Sequence, residues 1–143
     1  MHAESTDLYG RTIVPTETQN PKIRVVETDV DLYYHIALEM YKTVRTAAVD
    51  NGRAVFIVPV GPTFQYRRFI WLCREMPIDL SEMYMFFMDE YLDDNGSLID
   101  PSSPLSFRGF VQRELIDPLR DYGTFKEEHV FFPDPSDPSA YDA

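Results

Sequence analysis

Two short segments carry residue types that could do chemistry. The first is Met88-Asp89-Glu90-Tyr91, two adjacent carboxylates directly after the apolar run Met83–Met88. A carboxylate at the rim of a buried strand can serve as a general base, because partial burial raises its pKa toward working pH. The same letters also suit a helix cap or a solvated loop acid. The second segment is Val60-Gly61-Pro62-Thr63, at the end of the apolar run Ala54–Val60. A glycine lets the backbone approach a ligand closely, and a following helix N-terminus offers free N–H groups to an anion. Thr63 could add a hydroxyl donor or simply cap that helix. An ordinary strand-to-helix turn has the same letters. No Gly-Lys-Ser/Thr follows, and the glycine spacing of a dinucleotide fingerprint is absent.

Other residues of reactive type point to less. Asp93-Asp94-Asn95-Gly96 has the flavour of a calcium loop, but with Gly96 at the sixth position Tyr91 would be the first ligand and Ser102 the twelfth. A solvated turn is the simpler reading. His2, His35 and His129 lie far apart and no pair has zinc spacing. The single cysteine, Cys73, makes no internal disulfide or thiolate cluster, and its helical context reads as a small buried apolar residue.

The elements that must position these segments alternate. Lys22–Glu27 is a β-branched run with strand character. Thr28 and Asp31 form a variant capping box, and Leu32, Ile36, Met40 and Val44 recur at helical spacing until Asn51-Gly52. Ala54–Val60 is apolar throughout, as a parallel strand buried on both faces is. Phe64 to Met76 returns to helical spacing, and Pro77 closes it. Met83–Met88 is a third strand. Ser103-Pro104 reads as the start of a helix whose apolar face is Phe107, Phe110, Val111, Leu115 and Leu119. His129 to Phe132 is a short fourth strand. This order predicts an α/β fold: an open parallel sheet with helices on both faces, in three layers. Residues 1–21 read as a polar N-terminal arm, and 22–143 as the first portion of a longer domain, since a new element begins at Ser139 and stops at Ala143.

The chain of 143 residues has 13 basic and 24 acidic side chains, a formal net charge of -11. That argues against nucleic-acid or anionic-membrane partners, which require clustered Lys and Arg, but a few local donors can still hold one phosphate. No apolar run approaches the roughly 20 residues of a membrane span, and the start lacks a signal-peptide core. A cytoplasmic protein is the expectation.

The succession of strand, Pro-x-Gly-x-Thr turn, helix, strand and Met-Asp-Glu-Tyr resembles the glucosamine-6-phosphate deaminases, which share a fold with 6-phosphogluconolactonases. The resemblance runs from about Lys22 onward. Phe87-Met88-Asp89-Glu90-Tyr91 carries it most specifically, and Pro104-Leu105-Ser106-Phe107-Arg108-Gly109-Phe110 supports it, resembling the family's Ser-Tyr-x-Ser-Phe segment. It implies an aldose–ketose isomerase that moves a proton between C2 and C1 of an amino-sugar phosphate and releases ammonia. Asp89 would be the base, Gly61 and Thr63 the phosphate turn, and Glu90 and Tyr91 supports rather than reactants. No metal or organic cofactor is implied.

Two departures stand out. The turn Pro59-Val60-Gly61-Pro62-Thr63-Phe64 looks one residue shorter than the family's, and Pro62 removes a backbone N–H from it. The family's Gly-x-Asp-Gly-His segment, which supplies the ring-opening histidine, has no counterpart here. The chain alone is therefore expected to be inactive. A non-catalytic sugar-phosphate binding domain and a lactonase-like hydrolase remain alternatives. A half-sheet with uncovered apolar surface is expected to self-associate.

Overall fold

The structure, a computed structural model, describes residues 25–136, together with the backbone of two short strands, β1 (Ser5–Thr6) and β2 (Thr12–Ile13), which pair antiparallel. The latter fall within the stretch read as an arm. The element expected to begin at Ser139 lies outside the described residues.

Helix α1 spans Asp29–Asp50. Thr28 caps it: its Oγ1 accepts from the Asp31 N–H at 3.2 Å and donates to Asp31 Oδ2 at 2.8 Å. Asn51 ends it in the left-handed conformation at φ 51°, a geometry asparagine tolerates better than most residues. Strand β3 (Ala54–Val58), helix α2 (Phe64–Glu75) and strand β4 (Met83–Phe87) follow. Next comes a continuous helical stretch: α3 (Phe107–Val111), a π-helical turn (Gln112–Ile116) and α4 (Asp117–Arg120). Strand β5 (Val130–Phe131) closes the described chain.

The three strands form one parallel sheet in the order β3-β4-β5, with Ala54 opposite Met83, Val58 opposite Phe87 and Phe86 opposite Phe131. The α/β class and parallel sheet are as expected. The third strand of this sheet, β5, is the one anticipated at His129 to Phe132. Val25–Glu27, the described part of the expected strand Lys22–Glu27, is irregular and leads into α1, and Val25 is 91% exposed. Residues 22–24 lie outside the described part.

Among the described residues the helices lie on one face of the sheet. Ala54 and Val58 of β3 and Met83, Met85 and Phe87 of β4 are buried under α1, α2 and the α3–α4 stretch. Their neighbours of opposite parity are not: Val55 and Ile57 are 56% and 74% exposed. The reason is topological. Strands added in one direction by right-handed crossovers place every connecting helix on the same face. Ala54–Val60, expected to be buried on both sides, is covered on one side by the described residues.

Within the helical layer, α1 packs on α2 and α2 on the π-helical turn. Phe69, Leu72, Leu115 and Leu119 are buried in the shared core, each contributing about 1.5–3 kcal/mol by leaving water. Tyr122 ties the α2–β4 connection, donating to the Cys73 carbonyl at 2.6 Å and accepting from the Ile78 N–H at 2.8 Å. Cys73 is buried as expected, and burial pushes its thiol up to about 12. Gly109 of α3 is required by contact: a Cβ there would stand 1.8 Å from the Pro101 carbonyl oxygen.

Candidate active site at the carboxyl edge of the sheet

Parallel pairing of β3 with β4 sends both chain segments of interest out of the same edge. The Met88 N–H donates to the Val58 carbonyl at 3.2 Å, so the ladder extends one step past the strands. Beyond it Gly61-Pro62-Thr63 leaves β3 and Asp89-Glu90-Tyr91 leaves β4, on neighbouring strands. Ligands in open parallel sheets bind beyond such carboxyl ends.

Three helix N-termini converge on this edge. The start of α1 meets that of α2 through Tyr33 and Phe64, whose ring centroids are 5.4 Å apart. The α1 terminus is already complemented by Asp29 and Asp31. The α3 terminus is occupied by Glu90: its carboxylate accepts from the Tyr91 N–H (2.8 Å), Ser106 Oγ (3.0 Å), the Phe107 N–H (2.9 Å) and the Arg108 N–H (2.7 Å). Partial burial pushes the Glu90 pKa upward. The backbone N–H groups of Arg108, Phe107 and Tyr91 and the Ser106 hydroxyl outweigh it and hold the group below its ordinary value. The α2 terminus differs: Thr63 makes no side-chain capping bond and no acidic residue lies in the first turn. Its N–H groups and dipole face the Gly61 turn uncompensated by a carboxylate of its own.

The turn itself is braced from behind. Tyr66 Oη donates to the Pro59 carbonyl and Gln65 Nε2 to the Pro62 carbonyl. Both side chains are buried, and burial pushes the Tyr66 phenol up to about 12, so it stays protonated as a donor. Gly61 is exposed and joined to Pro62 by a cis peptide bond. Space around it is open: a Cβ there would meet nothing within 4 Å.

Asp89 is exposed, and Tyr91 is 53% exposed with its ring 4.8 Å from that of Phe107. The partial burial anticipated for Asp89 is not supplied by the described residues. Arg108 adds a cation at this edge, 5.3 Å from the Phe132 ring centroid. Gln65, Tyr66, Ser106 and Arg108 were not singled out from the sequence. Ser106 and Arg108 carry a signal only as members of the segment Pro104–Phe110. The helix there begins at Phe107, not at Ser103-Pro104: Ser106 Oγ accepts from the Gly109 N–H at 3.0 Å and so takes the cap.

Elsewhere the sequence readings meet ordinary structure. Asp93 Oδ1 accepts from the N–H groups of Asn95 and Ser97 in a solvated turn. Among the described residues, no group of three or more His, Cys, Asp or Glu could hold a metal ion, and no helix is long and apolar enough to cross a membrane. A hollow of about 220 Å³ lined by Val44, Asn51, Asp79 and Glu82 lies at the amino edge, and Gly61, Thr63, Asp89, Glu90 and Tyr91 do not line it.

No family model matches the sequence. No curated protein matches it either. The fold, however, has a solved counterpart. It is similar to a monomeric glucosamine-6-phosphate deaminase described as a missing link of the NagB superfamily, with a TM-score of 0.54 at 17% identity. The alignment covers 76% of this chain and 43% of that one, so the chain spans less than half of that enzyme's length. At this identity the likeness is one of fold.

Proposed function

We propose that this chain forms the first half of a sugar-phosphate isomerase/deaminase site, acting on an amino-sugar phosphate of the glucosamine-6-phosphate type. The observation that carries the reading is the adjacency of β3 and β4. It brings Asp89 and the uncapped α2 terminus to one edge. A phosphate held by the Gly61–Thr63 turn would leave the sugar carbons extending toward Asp89. In that pose Asp89 takes the C2 proton of the open-chain sugar and returns it to C1, leaving an imine at C2 that water hydrolyses to the ketone with release of ammonia. Glu90 contributes by anchoring the strand end to α3, not by reacting. The likeness of fold to a deaminase supports the same reading.

One observation favours a second reading. Asp89 is exposed, and the described residues do not supply the partial burial that favours a general base. A chain with a phosphate turn but an unassisted base fits a non-catalytic sugar-phosphate binding domain. The two readings separate in one experiment. Glucosamine-6-phosphate is titrated into the chain while backbone amide resonances are followed, and ammonia release is assayed in parallel. Shifts confined to Gly61 and the first turn of α2, without ammonia, support binding alone. Ammonia release that vanishes in Asp89→Asn supports the enzyme. Silence at the turn refutes both.

A further inference from the structure

Helix α2 presents a stripe of basic and aromatic surface. Arg67, Ile70, Trp71 and Arg74 recur at spacings of three and four, so they share one face of the helix. The π-helical turn packed against α2 adds Arg113 and Glu114, and together these residues line a hollow of about 330 Å³. Trp71, the one tryptophan of the chain, is 51% exposed there. Its neighbour Ile70 is buried and ties the hollow to the core.

Three cations meet one anion in this hollow. Arg67 is taken up by Glu114, whose Oε2 accepts from its Nε and its Nη2 at 2.7 Å each. Among the described residues Arg74 and Arg113 have no carboxylate partner. Glu75 follows on α2 but does not line the hollow. The hollow therefore keeps a surplus of positive charge in a chain whose formal net charge is -11.

We infer that this hollow docks an acidic peptide segment, with an apolar side chain seated against Trp71 and carboxylates on either side of it held by Arg74 and Arg113. Charge complementarity selects that occupant. Guanidinium groups without a partner match carboxylates as planar forks. The apolar surface between them matches an aliphatic or aromatic side chain, which a bare inorganic anion does not supply. The size fits a chain segment. Arg67 and Arg74 are about 10 Å apart along the helix axis, a length that roughly three extended residues span. Tryptophan and arginine are also the residue types that carry most of the energy of protein interfaces. The Arg67–Glu114 pair links α2 to the π-helical turn, so the hollow exists before its ligand arrives and less order has to be imposed on docking. The inference does not rest on the sugar-phosphate reading, because it uses the surface of the helical layer and not the carboxyl edge of the sheet.

The test uses the full chain, whose single tryptophan reports on the hollow directly. Titration with the peptide acetyl-Asp-Glu-Leu-Glu-Asp-amide is expected to change Trp71 emission saturably, with an affinity that falls as salt rises. The analogue with Asn and Gln in place of the acids is expected to leave the emission unchanged. Arg74→Glu and Arg113→Glu are each expected to weaken binding about tenfold or more. Both side chains are exposed, so far-ultraviolet circular dichroism should not change. Arg45→Glu makes the same change of charge at a residue of α1 that does not line the hollow, and is expected to bind as wild type does. A wild-type chain that gives no response to millimolar peptide overturns the inference. So does an equal response to the neutral analogue, full binding by both arginine variants of the hollow, or an equal loss in Arg45→Glu. Inorganic phosphate that displaces the peptide at equal concentration would assign the hollow to a small anion and overturns it as well.

Discussion

Ser106 Oγ donates to Glu90 Oε2 at 3.0 Å while accepting from the Gly109 N–H. One buried hydroxyl thus joins the end of β4 to the start of α3. The carboxylate gathers four donors, three of them backbone N–H groups.

Glu90→Ala leaves those donors, including buried Ser106, without their anion. Losing a charge-assisted acceptor costs about 1.5–3 kcal/mol, discounted here because the group is only partly buried. Glu90→Gln keeps one acceptor oxygen and costs less. Urea unfolding at neutral pH measures both, and equal stabilities of wild type and Glu90→Ala would refute the role.

The same group sets a pH dependence. The folded-state pKa of Glu90 lies below its ordinary value of 4.5. The unfolded chain therefore binds the proton first. The contribution of Glu90 is complete above pH 4.5 and is lost as pH falls from there through the folded value. Wild type and Glu90→Gln should thus differ most at neutral pH and converge on acidification. A difference that grows toward low pH would have the wrong sign.

Asp89→Asn should leave thermal stability unchanged, because the side chain is exposed. Where the domain supports ammonia release from glucosamine-6-phosphate, the substitution should lower turnover about 10²–10⁴-fold. Exchange of the C2 proton with solvent reports the step directly. Normal exchange in the variant would remove Asp89 from the mechanism.

Two glycines should respond oppositely to alanine. At Gly61 a methyl meets open space, so Gly61→Ala should fold normally yet weaken phosphate at the turn by standing where the anion approaches. At Gly109 the methyl collides with the Pro101 carbonyl. Forced overpacking typically costs about 1–3 kcal/mol and at times more. Thermal melts with and without phosphate distinguish the two behaviours.

Cys73 should resist thiol reagents in the native state at pH 8 and react fully in denaturant. Its side chain is buried and its thiol is pushed up to about 12, so thiolate is scarce without unfolding. Rapid native labelling would contradict the described packing.

Much of the positioning was legible in the sequence. The helical spacing of Met40 and Val44 and the box of Thr28 with Asp31 locate α1, because both signals are local. The runs before Gly61 and Asp89 locate the two strand ends. The rest depends on contacts distant in sequence. Glu90 meets Ser106 sixteen residues on, and no spacing rule announces that an acid will cap a helix beyond a loop. Nor do the letters of Ala54–Val58 tell a strand covered on both faces from one covered on one. Val55 and Ile57 are as apolar as the buried residues beside them, and strand order decides which case holds.

The contact of Gly109 with Pro101 has a consequence for motion. The loop between β4 and α3 is fastened at three places. Leu92 bridges Leu98, the Ile99 N–H reaches the Tyr91 carbonyl at 3.3 Å, and the Pro101 carbonyl lies against α3 where a side chain would otherwise stand. Such a segment has no free hinge between its fastenings. It should open with the first turn of α3 as one cooperative block, and its amides should exchange with a shared protection factor. The rim beyond Asp89 is then a fixed wall and not a flap that folds over the edge of the sheet.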